Sequence, residues 1–211
     1  MKKIIVLMLS LCMGLSASAV PAAAIEVNDQ ITFKDGPGPG SGGPFEVWKG
    51  GSYQFSTFCI ETDEYINFSS TYVVAGISNE AKLGGSNTDL GDPLDPKTAF
   101  LYYHYIKGDL STLATAAGYA FNPALSADLG NLQNAIWYIE GENGGIYNNL
   151  VKLAESANWK DIGPVRVLNL TTLSGGVAQD MLYVASVPEP MTLLLLGTGL
   201  VGVAAFRRKR K

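Results

Sequence analysis

The stretch from Val187 to Lys211 takes itself out of any globular core and so sets where the folded body must end. It runs in three blocks: Val187-Pro188-Glu189-Pro190, an apolar run from Met191 to Phe206, and Arg207-Arg208-Lys209-Arg210-Lys211. About sixteen residues rising about 1.5 Å each reach roughly 24 Å, close to a hydrocarbon core of about 30 Å, so the run can insert with some thinning of the bilayer. The basic cluster then stays on the cytoplasmic side. On the other flank the two prolines cannot continue a helix and leave a kinked, exposed peptide open to a processing enzyme. The first residues carry a second address. Lys2-Lys3, an apolar stretch from Ile4 to Leu15, and small residues at Ala17-Ser18-Ala19 or Ala22-Ala23-Ala24 read as a secretory signal over 1–24, with the mature chain starting near Val20 or Ile25. Cys12 follows Leu11, where a lipoprotein signal would place a small residue, and leaves with the signal.

The order motif, apolar run, basic tail resembles the PEP-CTERM sorting signal of Gram-negative exported proteins. The resemblance implies recognition by an exosortase, which cuts near Val187-Pro188-Glu189-Pro190. The chain is then held in the inner membrane transiently, through residues 191–206, before it reaches the periplasm, cell surface or exterior. The rival reading is a permanent single-span anchor.

What remains, 25–186, has the size of one domain with a real core. Without the seven basic residues of the two ends and Glu189, it holds eight Lys or Arg against eighteen Asp or Glu, a net charge of −10 against −4 for the whole chain. Such a surface repels phosphate backbones and speaks against nucleic acid. One histidine and no clustered cysteines speak against zinc, and no cofactor motif is present. Asp89, Asp92 and Asp95 are a scattered acidic set without the spacing of a calcium loop, and read as solvated loop residues.

Ile25 to Phe33 alternates roughly as a half-buried strand, and Phe45–Trp48, Ser52–Ile60 and Thr71–Ile77 are further strands, rich in aromatic and β-branched residues. Asp35 to Pro44 is a Gly-Pro loop that lacks the lysine and the strand-to-helix setting of a phosphate cradle. Turn residues crowd Asn79 to Leu94. The period then changes. Asp95 is a helix cap with Pro96 in the first helical position, and the helix runs through Lys107 to stop at Gly108. Ser126 caps a second helix reaching Glu140, and Ile146–Ala157 is a third. Strands return at Val165–Leu170 and Val177–Ala185. Strands, helices, strands is the order of an α+β domain: an antiparallel β-sandwich or barrel framework with a helical insertion.

Once the signal is gone a single cysteine remains, Cys59, in a compartment where cysteines are normally paired. An inert buried thiol and an intermolecular disulfide are the plain readings. A third needs a partner. On the Ser126–Glu140 helix, Leu129, Leu132, Ile136 and Ile139 form an apolar stripe, and Gln133 lies on its flank, one turn from Leu129 and Trp137. A carboxamide there needs a bonding partner. If Cys59 faces it, the sulfur can attack the side-chain carbonyl and expel ammonia, leaving an internal thioester. Gln179, in Ala178-Gln179-Asp180, is the rival partner and ranks lower, because it lacks the following Ile-Trp.

Phe58-Cys59-Ile60 with Tyr65-Ile66, and later Leu132-Gln133-Asn134-Ala135-Ile136-Trp137-Tyr138, resemble the two motifs of bacterial thioester domains. The resemblance spans roughly Phe45 to Glu142. It implies a Cys59–Gln133 thioester, shielded by Trp137 with Phe58 and Ile136 packed near it, in a surface adhesin that couples to amines on its target. No enzyme is expected. A cysteine hydrolase would need Cys59 with His104 as base, and His104 sits among tyrosines on an aromatic helix. Glu61, Asp63 and Glu64 are too close in sequence to be read as a hydrolase pair. The alternative function is a passive, exopolysaccharide- or biofilm-associated surface protein with Cys59 inert.

Overall fold

A computed structural model describes residues 25–40, 42–82 and 91–185; the signal, the sorting segment and Asp89 lie outside them. The chain is an α+β fold. Six antiparallel strands, β1 (Gln30–Asp35), β2 (Phe45–Lys49), β3 (Ser52–Thr57), β4 (Thr71–Ser78), β7 (Val165–Thr172) and β8 (Val177–Val184), lie in the order β3-β2-β1-β4-β7-β8. The sheet then closes on itself. Past β3 the chain bridges β8 at Cys59 and Met181, with Leu182 N–H donating to Phe58 O (3.2 Å) and Ile60 N–H to Asp180 O (3.3 Å). A small hairpin of β5 (Glu80–Ala81) and β6 (Asp92–Pro93) leads into the helices.

Between β6 and β7 come α1 (Pro96–Lys107), α2 (Leu110–Ala116), α3 (Ser126–Ile139) and α4 (Asn149–Ala157). The Asp95 side chain accepts from Lys97 N–H (2.7 Å), Pro96 opens α1, and Gly108 ends it in the left-handed region at φ 79°, as the sequence predicts. Two expectations are corrected. Ser126 is already helical and the cap position is Leu125, without a side-chain bond. The helix expected from Ile146 begins at Asn149, because Asn148 caps it by accepting from Leu150 and Val151 N–H. Helix α2 carries no sequence signal of its own, being two turns long and lacking a side-chain cap.

Two cores share the wall. Ile31, Phe33, Val47, Tyr72, Val74, Leu170 and Met181 fill the barrel, while Leu101, Tyr102, Leu129, Leu132, Ile136 and Val151 form a helical core against its outside. Strand β8 is buried from Ala178 to Tyr183 because the barrel core lies on one face and the helical core on the other. Strand β1 buries only Ile31 and Phe33, the alternation of a wall with one dry face.

Candidate functional site

Cys59 stands at the seam where the barrel closes. Strand alternation sends Phe58 and Ile60 into the helical core and Cys59 into the barrel. With Leu182 and Asp180 bonded to its two neighbours, Cys59 and Met181 form a non-hydrogen-bonded antiparallel pair, the geometry that brings side chains closest. On the other edge β2 no longer runs alongside, since it begins at Phe45 opposite Thr57. The Cys59 peptide therefore turns to α3. Its N–H donates to Gln133 Oε1 at 3.1 Å, and Gln133 Nε2 donates to Cys59 O at 2.8 Å. One carboxamide replaces one peptide of the missing strand. Gly42 O also accepts from the Cys59 N–H, at 3.3 Å.

The Gly-Pro loop is what lets α3 come this near. Gly42 has φ 108°, and a Cβ there would stand 2.6 Å from Trp137 Cη2 and 2.7 Å from Gln133 Cγ. Only glycine fits both the backbone and the space. Trp137 is held from the other direction, its Nε1 donating to Glu61 O at 3.2 Å.

Beside Cys59 opens a cavity of about 270 Å³, with Cys59, Glu61, Trp137 and Gln179 in its wall and Tyr65 and Phe68 exposed among its lining residues. Gln179 is buried, and its Nε2 donates to Glu61 O at 2.6 Å. The β7–β8 ladder slips between Leu168 and Leu170, opposite this part of β8, and such irregularities re-aim side chains. Gln133 does not line the cavity. The two glutamines thus meet Cys59 differently: Gln133 binds its peptide, and Gln179 shares its side-chain pocket. Gln133, which the sequence ranks first, is hydrogen-bonded to Cys59, and Gln179 stands beside it across the pocket.

The other expected residues divide in the same way. Trp137 lines the pocket, whereas Phe58 and Ile136 belong to the helical core. Phe58 is one residue from Cys59 and hence on the opposite face of the strand, with its ring edge-on to Tyr102 and Tyr105. Ile136 lies on the Leu129–Leu132 stripe and not on the flank. His104 is engaged elsewhere: its Nδ1 lies 2.6 Å from Asp109 Oδ1, and its ring packs on Phe100, Tyr103 and Trp159.

Carboxylates surround the pocket. Burial first, then the charges of Asp180 and Glu64, pushes the Glu61 carboxyl up to about 8. Burial, then Asp180 and Asp63, raises Glu64 to about 7. Asp180 is raised by its own burial against three bonds that favour its charged form, from Lys82 N–H (2.8 Å), Asn169 Nδ2 (2.8 Å) and Leu170 N–H (3.1 Å). Glu142 accepts from Thr62 N–H and Oγ1 and ties the Glu61–Glu64 turn to the end of α3. Burial above all, then Glu61, pushes the Cys59 thiol well above its ordinary value, so at neutral pH the sulfur keeps its proton. Among the described residues no group of three or more His, Cys, Asp or Glu side chains is placed to hold a metal ion, and no helix is long and apolar enough to cross a membrane.

Residues 186–210 match the PEP-CTERM protein-sorting motif. The motif implies export, processing by an exosortase, and a surface or extracellular destination. No curated protein matches the chain. Two solved structures, both from Streptococcus pyogenes, align with it over 80% of this chain and 100% of theirs. One is the N-terminal thioester domain of fibronectin-binding protein SfbI, at 15% identity and a TM-score of 0.43. The other is the N-terminal domain of the pilus tip adhesin Cpa, at 12% identity and a TM-score of 0.43.

Proposed function

We propose that this exported protein forms an internal thioester between Cys59 and Gln179 and uses it to couple covalently to amines on a target surface, in the manner of an adhesin. In the forming step Cys59 Sγ attacks Gln179 Cδ, the S–C bond forms, the C–N bond breaks, and the thiol proton departs with the amide nitrogen as ammonia. The carrying observation is the shared pocket: Cys59 and Gln179 line one cavity of about 270 Å³, walled by Trp137 and reached past the exposed Tyr65. A buried thiol is a poor free nucleophile, which speaks against a hydrolase using Cys59 and His104 and suits a bond made once and stored.

In this reading Gln133 has a positioning role, because its carboxamide already satisfies the Cys59 peptide. A second reading gives Gln133 the acyl role, and the two short bonds that bring it to Cys59 favour it. Intact mass tests the bond, and peptide mapping of the captured methylamide separates the two glutamines. The exported chain should weigh one ammonia less than its sequence, resist thiol alkylation while folded, and take up methylamine with release of the thiol. The methylamide should map to Gln179. Mapping to Gln133 gives the acyl role to α3, and an unmodified mass with a titrating Cys59 leaves a passive surface protein. Loss of Arg207–Lys211 from the exported form tests exosortase processing in the same spectrum.

A further inference from the structure

Glu61 is buried, at 2% exposure, and lines the pocket together with Cys59 and Gln179. Its Oε2 is within reach of the Asp180 N–H at 3.4 Å, while its Oε1 is buried with no hydrogen-bond partner. An orphaned buried carboxyl oxygen costs stability, and at a pocket wall it calls for a functional reason. We infer that Glu61 is the proton relay of the Cys59 acyl transfer, an inference that rests on the thioester reading above. A neutral carboxyl carries one O–H donor and one carbonyl acceptor and can give and take a proton in a single event.

In thioester formation the Glu61 carbonyl oxygen takes the Cys59 thiol proton as sulfur attacks, and the Glu61 O–H gives its proton to the departing amide nitrogen. Ammonia leaves and Glu61 is neutral again. In the reverse sense an attacking amine gives its proton to Glu61, and Glu61 protonates the departing sulfur, whose burial disfavours release as a thiolate. The charged groups that act on Glu61 keep it neutral: Asp180 from β8, Glu64 from its own turn and Glu142 from the segment after α3, while the Lys82 ammonium pairs with Glu80 at 3.7 Å. Its carboxyl is accordingly held up to about 8, so the acid form prevails at neutral pH.

Methylamine uptake by the full chain, followed by intact mass from pH 6 to 9.5 and divided by the free-amine concentration, tests this. The wild-type constant should fall about tenfold per pH unit above about 8, as the relay ionises. Glu61→Gln should either accumulate no ammonia deficit while folded or carry it and react about a hundredfold slower with a flat profile. Glu64→Gln should keep a fall of the same steepness, begun at lower pH because the Glu64 charge no longer helps hold Glu61 up. A Glu61→Gln chain that reacts at the wild-type rate and profile overturns the relay, as does a fall lost in Glu64→Gln instead. If Glu61→Gln does not fold, the wild-type profile alone decides, and a flat line overturns the relay. A wild-type chain without the ammonia deficit overturns the thioester reading first and the relay with it.

Discussion

Cys59 is approached from two sides, and the two sides do different work. From α3 comes Gln133, with both ends of its carboxamide spent on the Cys59 peptide. From β8 comes Gln179, holding only the Glu61 carbonyl and sharing the cavity with the thiol. Both residues are buried glutamines, and chemistry alone does not tell them apart. Their partners do. In the proposed reading the side chain that completes a backbone ladder serves as scaffold, and the one that faces the cavity beside the thiol reacts.

The sharpest way to break this comparison is to remove each glutamine in turn. Gln179→Ala should abolish the ammonia deficit altogether, leave an alkylatable Cys59 on unfolding, and keep the fold. Gln133→Ala should act on stability first: it orphans the Cys59 carbonyl and opens a cavity, for a loss of about 2–4 kcal/mol read as a lowered denaturant midpoint. Chains that still fold should retain some of the deficit. If Gln133→Ala removed the deficit at unchanged stability while Gln179→Ala kept it, the two roles would be exchanged.

A smaller effect sharpens the α3 side. Gly42→Ala puts a Cβ against Trp137 and Gln133 at a backbone φ of 108°, so it should cost about 1–3 kcal/mol and raise the solvent reactivity of Cys59. The β8 side should show itself as pH dependence. Glu61, Glu64 and Glu140 have folded values of about 8, 7 and 8 against an ordinary 4.5, so the folded chain holds more protons than the unfolded chain between those limits. Stability should therefore fall as pH rises from about 5 to about 8, seen as a melting temperature several degrees lower at pH 8 than at pH 5. Glu61→Gln should flatten part of that slope. His104→Ala marks the small end of the scale. It removes the hydrogen-bonding contact with Asp109 and some ring packing, costs about 1 kcal/mol, and should leave the ammonia deficit intact.

Much of the fold is written locally. Asp95, Pro96 and Gly108 delimit α1 through caps that act within a few residues, and the aromatic and β-branched runs 45–48 and 71–77 became β2 and β4. The tail was legible for the same reason, since the order of its three blocks is itself the signal. Cys59 is the one free cysteine among the described residues, and the Gln-Asn-Ala-Ile-Trp run points to Gln133, which the structure places beside it. What the sequence by itself determined was thus the order strands, helices, strands and the sorting motif of the tail. Only the tertiary structure decided which glutamine reaches the peptide and which the pocket, that Phe58 and Ile136 turn away from Cys59, and that Glu61 is buried with an unpartnered oxygen. The physical reason is distance along the chain. Caps and alternation act between near neighbours, while the seam joins residues near positions 42, 59, 133 and 180 that meet only when the barrel closes.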